Sequence, residues 1–191
     1  MKQTFFYRLS IFAALLMLSG WAMDVQAQAT DNVTVDVDID LISPPPTCSF
    51  TLQSNLDYGT AEKPASGNAS VSINARTGSR TSSGTTVSGT SSVGQVRLSG
   101  SNVASYTVTR TFPSSLTRSG GSLSFTGSWA QSASQGSGYA AVSGASYNGT
   151  AGGAGSSFNR YFRFGGTAGG INLSDPNGNY TGSISASATC N

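Results

Sequence analysis

The side chains that most enzymes use for proton transfer are scarce in this sequence, which has no histidine among its 191 residues. Ser-His-Asp and Cys-His nucleophile systems and most zinc sites are therefore excluded. A Ser-Lys pair would depend on Lys63, which precedes Pro64 in a turn-like context. Hydrolysis by paired carboxylates needs two acids across a cleft, and nothing in the sequence brings Asp57, Glu62 and Asp175 together. We predict no catalytic residues, no enzyme activity and no cofactor.

Three aspartates at alternate positions are the obvious candidates for binding a metal ion. Asp36, Asp38 and Asp40 are followed by Leu41, whereas a calcium loop of the EF-hand type needs glycine there. On a strand these carboxylates would share one face at a spacing of about 7 Å, too far apart to share one ion easily. We interpret them as a solvated strand face that discourages sideways aggregation, and we predict no metal site.

The sequence contains two cysteines, Cys48 and Cys190, which lie 142 residues apart. Two cysteines in an exported bacterial protein usually pair, because the cell envelope is an oxidising compartment. We predict a disulfide that joins the first and last strands of the body; two free thiols are the alternative.

Residues 1–29 have the features of a bacterial secretory signal. Lys2 and Arg8 supply positive charge, a nearly apolar run follows, and Ala27 and Ala29 fit a signal peptidase site. We expect cleavage after Ala29 or, alternatively, after Ala27. An uncleaved membrane anchor is the other interpretation, although the apolar run is short for a span. We therefore expect export without membrane insertion, through the periplasm to a fimbrium, the cell surface or the extracellular space.

Residues 31–41 alternate strictly between apolar and polar side chains, which predicts a strand with one apolar face. Three consecutive prolines at 44–46 follow, and proline both lacks an amide donor and stiffens the chain. We predict that residues 30–47 form an N-terminal extension, in which the strand is separated from the body by a rigid hinge. The apolar face of that strand consists of Val33, Val35, Val37, Ile39 and Leu41.

Residues 48–191 contain many short strand-like runs separated by Gly, Ser, Asn or Pro. Aromatic side chains are spread along this body, which argues against disorder despite its richness in Gly and Ser. Regular short strands with turn residues between them predict an all-β sandwich or barrel. The predicted strands are 49–52, 56–58, 69–75, 93–98, 106–111, 122–129, 158–164, 171–173 and 180–189, and the Gly-rich stretches 78–94 and 144–155 are predicted long loops or flexible edge strands.

Charged residues are segregated along the chain. Those between 31 and 62 are all acidic, whereas those from Lys63 to Arg163 are all basic. The formal net charge is only +2, so no nucleic-acid partner is expected. The segregation favours head-to-tail contact between copies, since one end complements the rest. The alternative is that the acidic strand folds back on its own basic body.

Aromatic side chains can also stack on sugars. Trp129, Tyr139 and the aromatic run at 161–164 are better explained as core residues. Tyr147 lies in a glycine-rich stretch, and we single it out as a candidate ligand contact with a glycan as the partner.

Short motifs at both ends of the body resemble those of known bacterial envelope proteins. The alternating segment 33–42, Cys-Ser-Phe at 48–50 and Leu-Asp-Tyr-Gly at 56–59 resemble the start of spore-coat-U-like and archaic chaperone–usher pilins. Phe-Gly-Gly-Thr at 164–167 and Gly-Asn-Tyr-Thr-Gly at 178–182, before an alternating last strand, resemble the secreted domain-of-unknown-function family 4402 and the ends of class 5 fimbrial pilins. The resemblance extends over nearly all of the mature chain.

The resemblance implies an immunoglobulin-like, pilin-like β-sandwich that lacks one strand. In such pilins the N-terminal extension of a neighbouring subunit fills the groove, and a periplasmic chaperone fills it beforehand. Backbone hydrogen bonds then supply affinity, and alternate side chains fill pockets. Carried over to this sequence, Val33, Val35, Val37, Ile39 and Leu41 match the inserted face.

Two positions depart from the pattern of these families. Spore-coat-U-like chains commonly have a second cysteine after the early strand, where this chain has Ala75. Many pilins end in a strand with a penultimate aromatic residue that contacts the chaperone, where this chain has Cys190. The second departure bears directly on whether a chaperone is used.

We therefore predict a single β-sandwich from 48 to 191, preceded by a donor-like strand. The predicted function is a structural subunit of a surface fimbria or pilus-like assembly. Its expected partners are other copies of itself or related subunits, and a periplasmic chaperone and usher. The alternative is a secreted or surface carbohydrate-binding adhesin module that is monomeric and filled by its own strand.

Overall fold

A computed structural model of the chain describes residues 44–191 together with Ile39 and Ile42. This part of the chain forms thirteen strands and no helix, which confirms the predicted all-β class. It offers no helix that is long and apolar enough to span a membrane. The strands are β1 (Thr47–Ser54), β2 (Thr60–Ala61), β3 (Ala69–Ile73), β4 (Arg80–Ser83), β5 (Val87–Ser88), β6 (Gly94–Ser101), β7 (Ser105–Thr111), β8 (Ser115–Arg118), β9 (Gly121–Ser132), β10 (Ala140–Ala141), β11 (Ser146–Thr150), β12 (Ser157–Ile171) and β13 (Ser185–Cys190).

The long strand β12 lies at the centre of an antiparallel sheet of eight strands. Its first half pairs with β6 and its second half with β3, so these two strands lie end to end along one side of β12. Strand β9 pairs along the other side. Strands β1 and β4 extend the sheet beyond β6 and β3, and strands β8 and β10 extend it beyond β9.

A smaller sheet contains β11, β7 and β13 in that order, again antiparallel. Strands β2 and β5 form a separate antiparallel pair. The small sheet of three strands faces the large sheet of eight strands, so other parts of the chain cover much of the large sheet.

The main core lies between the two sheets. Strands β6, β9 and β12 contribute side chains from the large sheet, and β7 contributes them from the small one. Trp129 is stacked on Phe162 and on Phe164, with ring centroids 5.8 Å and 6.3 Å apart. This packing confirms the predicted β-sandwich, whereas its immunoglobulin-like strand arrangement stays a prediction. The buried members are Leu98, Val103, Tyr106, Val108, Trp129, Phe162 and Phe164.

A second apolar cluster covers the other half of the large sheet. Ala69, Val71, Leu123 and Ile171 are buried there. Side chains that pack against them come from outside both sheets or from the β2–β5 pair: Tyr58, Val87 and Tyr180. The inner face of the large sheet is thus apolar beyond the region that the small sheet covers.

Strand β11 lies in a Gly-rich stretch that was predicted to be a long loop or a flexible edge strand, and it forms an edge of the small sheet. A side chain at Gly149 would place its Cβ only 2.2 Å from the ring of Tyr106, the residue opposite it on β7. Glycine at this position therefore makes room for a buried aromatic ring rather than for a turn. The same strand holds Tyr147, so of the two alternatives for 144–155 an edge strand is present over Ser146–Thr150.

Two further regions differ between the predicted and the observed strands, and their strands also lack an apolar pattern. The Gly-rich stretch 78–94 contains the short strands β4 and β5. The predicted strand 180–189 is regular only from Ser185 onward, although Thr181 forms an isolated bridge to Thr117. These Ser- and Thr-rich strands are held by ladder hydrogen bonds, which leave little trace in hydrophobic periodicity.

Candidate functional site

Two sheet edges face each other at one side of the sandwich. Strand β1 is the edge of the large sheet and pairs with β6, and β13 is the edge of the small sheet and pairs with β7. The start of β1 is joined to the end of β13 through Cys48 and Cys190, so the two strands run in opposite directions. In the described part of the chain, neither strand has a second ladder partner.

The disulfide closes one end of the space between these edges. The predicted bond between Cys48 and Cys190 is confirmed, and it holds their Cα atoms 6.3 Å apart. A strand inserted between two others needs two ladder spacings, about 10 Å in all. No strand can therefore pass between β1 and β13 at this end.

Away from the disulfide the two edges diverge and enclose an open groove of about 830 Å³. Leu52 belongs to the inward-facing positions of β1, yet 63 % of its surface is exposed. Leucine with that exposure on the inner face of a sheet indicates that a packing partner is missing. The apolar lining consists of Phe50, Leu52, Leu56, Val96, Pro113, Leu116, Phe125, Phe164, Ile184 and Ala186.

The composition of β13 explains why the groove stays open. Its inward positions carry Ala186 and Ala188, and Ile184 precedes the strand. Alanine fills much less space than the aromatic residues of the main core, so the two sheets do not close over it. The outward positions are Ser and Thr, as expected for a solvent-facing surface.

A tight turn forms the wall at the open end of the groove. The Tyr58 hydroxyl donates to the carbonyl of Gly166 at 2.8 Å, and the Arg80 guanidinium donates to the Tyr58 carbonyl at 2.9 Å. Gly59 has a φ of +74°, and its amide donates to the Asp57 carboxylate at 2.8 Å. Burial raises the pKa of the Tyr58 phenol above its usual range. The wall is therefore fixed by both side chains and backbone.

The electrostatic character of the groove is simple. Among the described residues, Asp57 is the one charged residue that lines it, and its carboxylate accepts a hydrogen bond within the wall. Within residues 44–191, no three Cys, Asp or Glu side chains come close enough together to hold a metal ion. The arrangement is thus one for binding an apolar, extended segment through backbone hydrogen bonds and side-chain burial.

The structure describes only one of the five residues that were predicted to form the inserted face. Val33, Val35, Val37 and Leu41 lie outside the described residues. Ile39 is described, is exposed and belongs to no strand.

Tyr147 lies on β11, where it is half-buried. Its ring is 5.8 Å from that of Phe162 and 6.3 Å from that of Tyr106. A role for Tyr147 in ligand contact stays a prediction.

The resemblance implied a groove, but the sequence did not identify the residues that line it. The alternation of Phe50, Leu52 and Ser54 was readable as an inward face, but no pattern in the sequence showed that this face would remain uncovered. The alternation of Ser with Ala186 and Ala188 near the chain end was the available signal. Small inward residues on an edge strand indicate room for another element.

Residues 48–189 match the family model described as "Domain of unknown function (DUF4402)". No curated protein and no solved structure matches the chain. The match covers most of the chain and includes Cys48 and all but the outermost residue of each edge strand of the groove, whereas Cys190 lies one residue beyond it. The chain therefore belongs to the DUF4402 family.

Proposed function

We propose that this protein is a non-catalytic structural subunit of a bacterial surface fibre and that its copies join by strand addition. The observation that carries the proposal is Leu52, an inward-facing leucine left 63 % exposed in an apolar groove between two unpaired sheet edges. A groove of this kind offers a backbone ladder on both sides and apolar contacts on its floor. It resembles a sandwich from which one strand has been removed.

The N-terminal extension has the side-chain pattern that such a groove requires. Val33, Val35, Val37, Ile39 and Leu41 alternate with polar residues, so one face of the strand can enter the floor. The aspartates on its other face would point to solvent, and burying them would be costly.

The proline run favours insertion into a second copy over insertion into the same copy. Three prolines in the polyproline conformation extend over about 9 Å in a straight line. Self-insertion beside β1 would instead need a sharp reversal over a strand separation of about 4.8 Å. Residues 44–46, which precede β1, are all proline and all exposed.

The charge distribution supports contact between copies. The extension is acidic, and every charged residue from Lys63 to Arg163 is basic. Complementary charges accelerate encounter and suppress wrong orientations. We propose that residues 1–29 direct export, that the disulfide forms in the periplasm, and that a chaperone and an usher or related subunits assist assembly before the fibre reaches the surface.

The test compares the mature chain, residues 30–191, with a variant lacking residues 30–43 on size exclusion. We expect ladders or filaments from the mature chain. The truncated variant should stay monomeric and should bind a synthetic peptide of residues 31–42.

Two results would contradict the proposal. A mature chain that remains a stable monomer and unfolds on truncation would assign the strand to its own sandwich. The self-filled adhesin or secreted module would then be the better interpretation, and a glycan array of the monomer would test it.

A further inference from the structure

A second cavity of about 520 Å³ lies next to the groove, on the other side of the wall that Tyr58 and Gly59 form. The floor of this cavity is the second apolar cluster, with Val71, Leu123 and Ile171 all buried. Five residues line both spaces, so the two adjoin along the inner face of the large sheet: Tyr58, Gly59, Leu116, Asn179 and Tyr180.

The length of the extension exceeds the length of the groove along β13. The five apolar side chains from Val33 to Leu41 extend over about 27 Å in a strand. The inward positions from Ile184 to Ala188 extend over about 13 Å. The strand cannot use the remaining space at the disulfide, because the Cα atoms of Cys48 and Cys190 are only 6.3 Å apart. The surplus length must lie at the opposite end.

We infer that the extension of a second copy lies off-centre, stopped by the disulfide at one end and anchored in the second cavity at the other. This inference rests on the proposed function and adds the register of the inserted strand. Tyr58 and Tyr180 then flank the passage between the two spaces. The apolar floor of the second cavity takes at least one of the terminal residues, Val33 or Leu41.

Two of the described residues that line the second cavity are charged, Lys63 and Asp175, and the Asp175 carboxylate accepts a hydrogen bond from the Asn172 amide at 2.7 Å. The Lys63 ammonium group donates to the carbonyl of Leu173 at 3.1 Å. Arg118 lies beside Gly178, and among the described residues its buried Nη1 atom has no hydrogen-bond partner. Asp36, Asp38 and Asp40 on the outward face of the strand would pass near these cations.

Three variants of the full mature chain test the register. Ala61→Trp fills the second cavity from its exposed rim, and Leu52→Asp places a charge in the groove. Ala141→Trp is the matched control, because Ala61 and Ala141 are both exposed alanines at the end of a two-residue strand. We expect Ala61→Trp and Leu52→Asp to reduce the assembled fraction on size exclusion at least tenfold, and Ala141→Trp to leave it unchanged.

The outcomes separate this inference from the proposed function. If Leu52→Asp blocks assembly and Ala61→Trp assembles as the unmodified chain does, the anchor in the second cavity is wrong and strand addition stands. If the unmodified mature chain does not assemble, the proposed function itself fails. An unchanged midpoint of urea unfolding for Ala61→Trp, followed by far-ultraviolet circular dichroism, excludes misfolding as the cause of a loss.

Cross-linking gives a second measurement that does not depend on blocking. Chains with Ala61→Cys are mixed with tagged chains that carry either Val33→Cys or Leu41→Cys. We expect a mixed, reducible dimer with one of the two, which also identifies the end that enters the cavity. A Cys at Ala141 should give none. If chains that assemble give cross-links at neither end, the inference is overturned. A further chain carries both Ala61→Cys and one of the two terminal cysteines. If a cross-link forms only within single chains of that kind, the second copy is not the occupant.

Discussion

The inner face of the large sheet is apolar both under β7 and beside β1, but the two regions differ in what covers them. Under β7, Trp129 and Phe162 are stacked and fully buried. Beside β1, Leu52 points the same way and remains 63 % exposed. An apolar pattern on a strand therefore decides which side faces inward. Whether that side is buried depends on a second element.

The difference follows from the strands of the small sheet. Strand β7 contributes Tyr106 and Val108, which reach the aromatic residues of the large sheet. Strand β13 contributes Ala186 and Ala188, and the alanine side chain is too short to fill the space between the two sheets. The closed core carries the stability of the isolated domain, whereas the groove leaves apolar surface exposed, which the proposed function would use for association.

Removing the disulfide should have the largest effect on stability. A loop of 142 residues corresponds to about 5 kcal/mol on the chain-entropy account. We expect the Cys48→Ser, Cys190→Ser double variant to lose up to that amount in urea unfolding. Ser49→Ala, an exposed neighbour, should change stability by less than about 0.5 kcal/mol. A loss below about 1 kcal/mol would show that β1 and β13 are held together by other contacts.

Truncation in the closed core comes next. Phe162 is fully buried and contacts both Trp129 and Tyr147. We expect Phe162→Ala to lower the free energy of unfolding by about 4 kcal/mol, since it removes apolar burial and leaves a cavity. Urea unfolding followed by tryptophan fluorescence measures it. A loss under about 1.5 kcal/mol would mean that the core is loosely packed and that its contrast with the groove is small.

Substitution of Tyr58 tests the wall at the end of the groove. Its hydroxyl donates to the Gly166 carbonyl, so Tyr58→Phe should cost about 1 kcal/mol at neutral pH. The folded pKa of Tyr58 is raised by burial. Above the ordinary value of about 10, the unfolded chain therefore loses the proton first, and stability falls as the pH rises.

The pH dependence supplies the check on this assignment. The decline of stability above about pH 10 should be shallower in Tyr58→Phe than in the unmodified chain. Some decline should remain, because burial also raises the pKa of Tyr106 and of Tyr139. Equal slopes for the two proteins would mean that Tyr58 titrates normally and that the wall is open to water.

The sequence was sufficient for the fold class and for the disulfide. Alternating residues and aromatic runs predicted β3, β6, β7, β9 and β12, each of which contributes to a buried cluster. Two cysteines in a chain that was expected to be exported predicted their own pairing. These inferences succeeded because burial and covalent chemistry depend on residue type and local spacing.

The candidate site was harder to predict, because it is defined by an uncovered surface. Leu52 and Ile184 lie far apart in the sequence and come together only through the strand order of two different sheets. Strands β4 and β11 lie in stretches for which the sequence left loops and edge strands open, since Ser, Thr and Gly pair through the backbone with little apolar signal. Local patterns therefore predicted the elements but not the gap between them.

Leu52→Ala has the smallest expected effect on the stability of the free chain, and it distinguishes the groove from the closed core. In the free chain Leu52→Ala should cost less than about 1 kcal/mol, because only about a third of that side chain is buried. In the assembled form the same side chain would be covered, so the variant should dissociate at a clearly lower urea concentration. Leu173→Ala is the matched control, since Leu173 is 61 % exposed and lies outside both cavities; it should change neither measurement. A loss of 2 kcal/mol or more in the free Leu52 variant would indicate that the groove is already filled by the chain itself, whereas unchanged dissociation would remove Leu52 from the interface between copies.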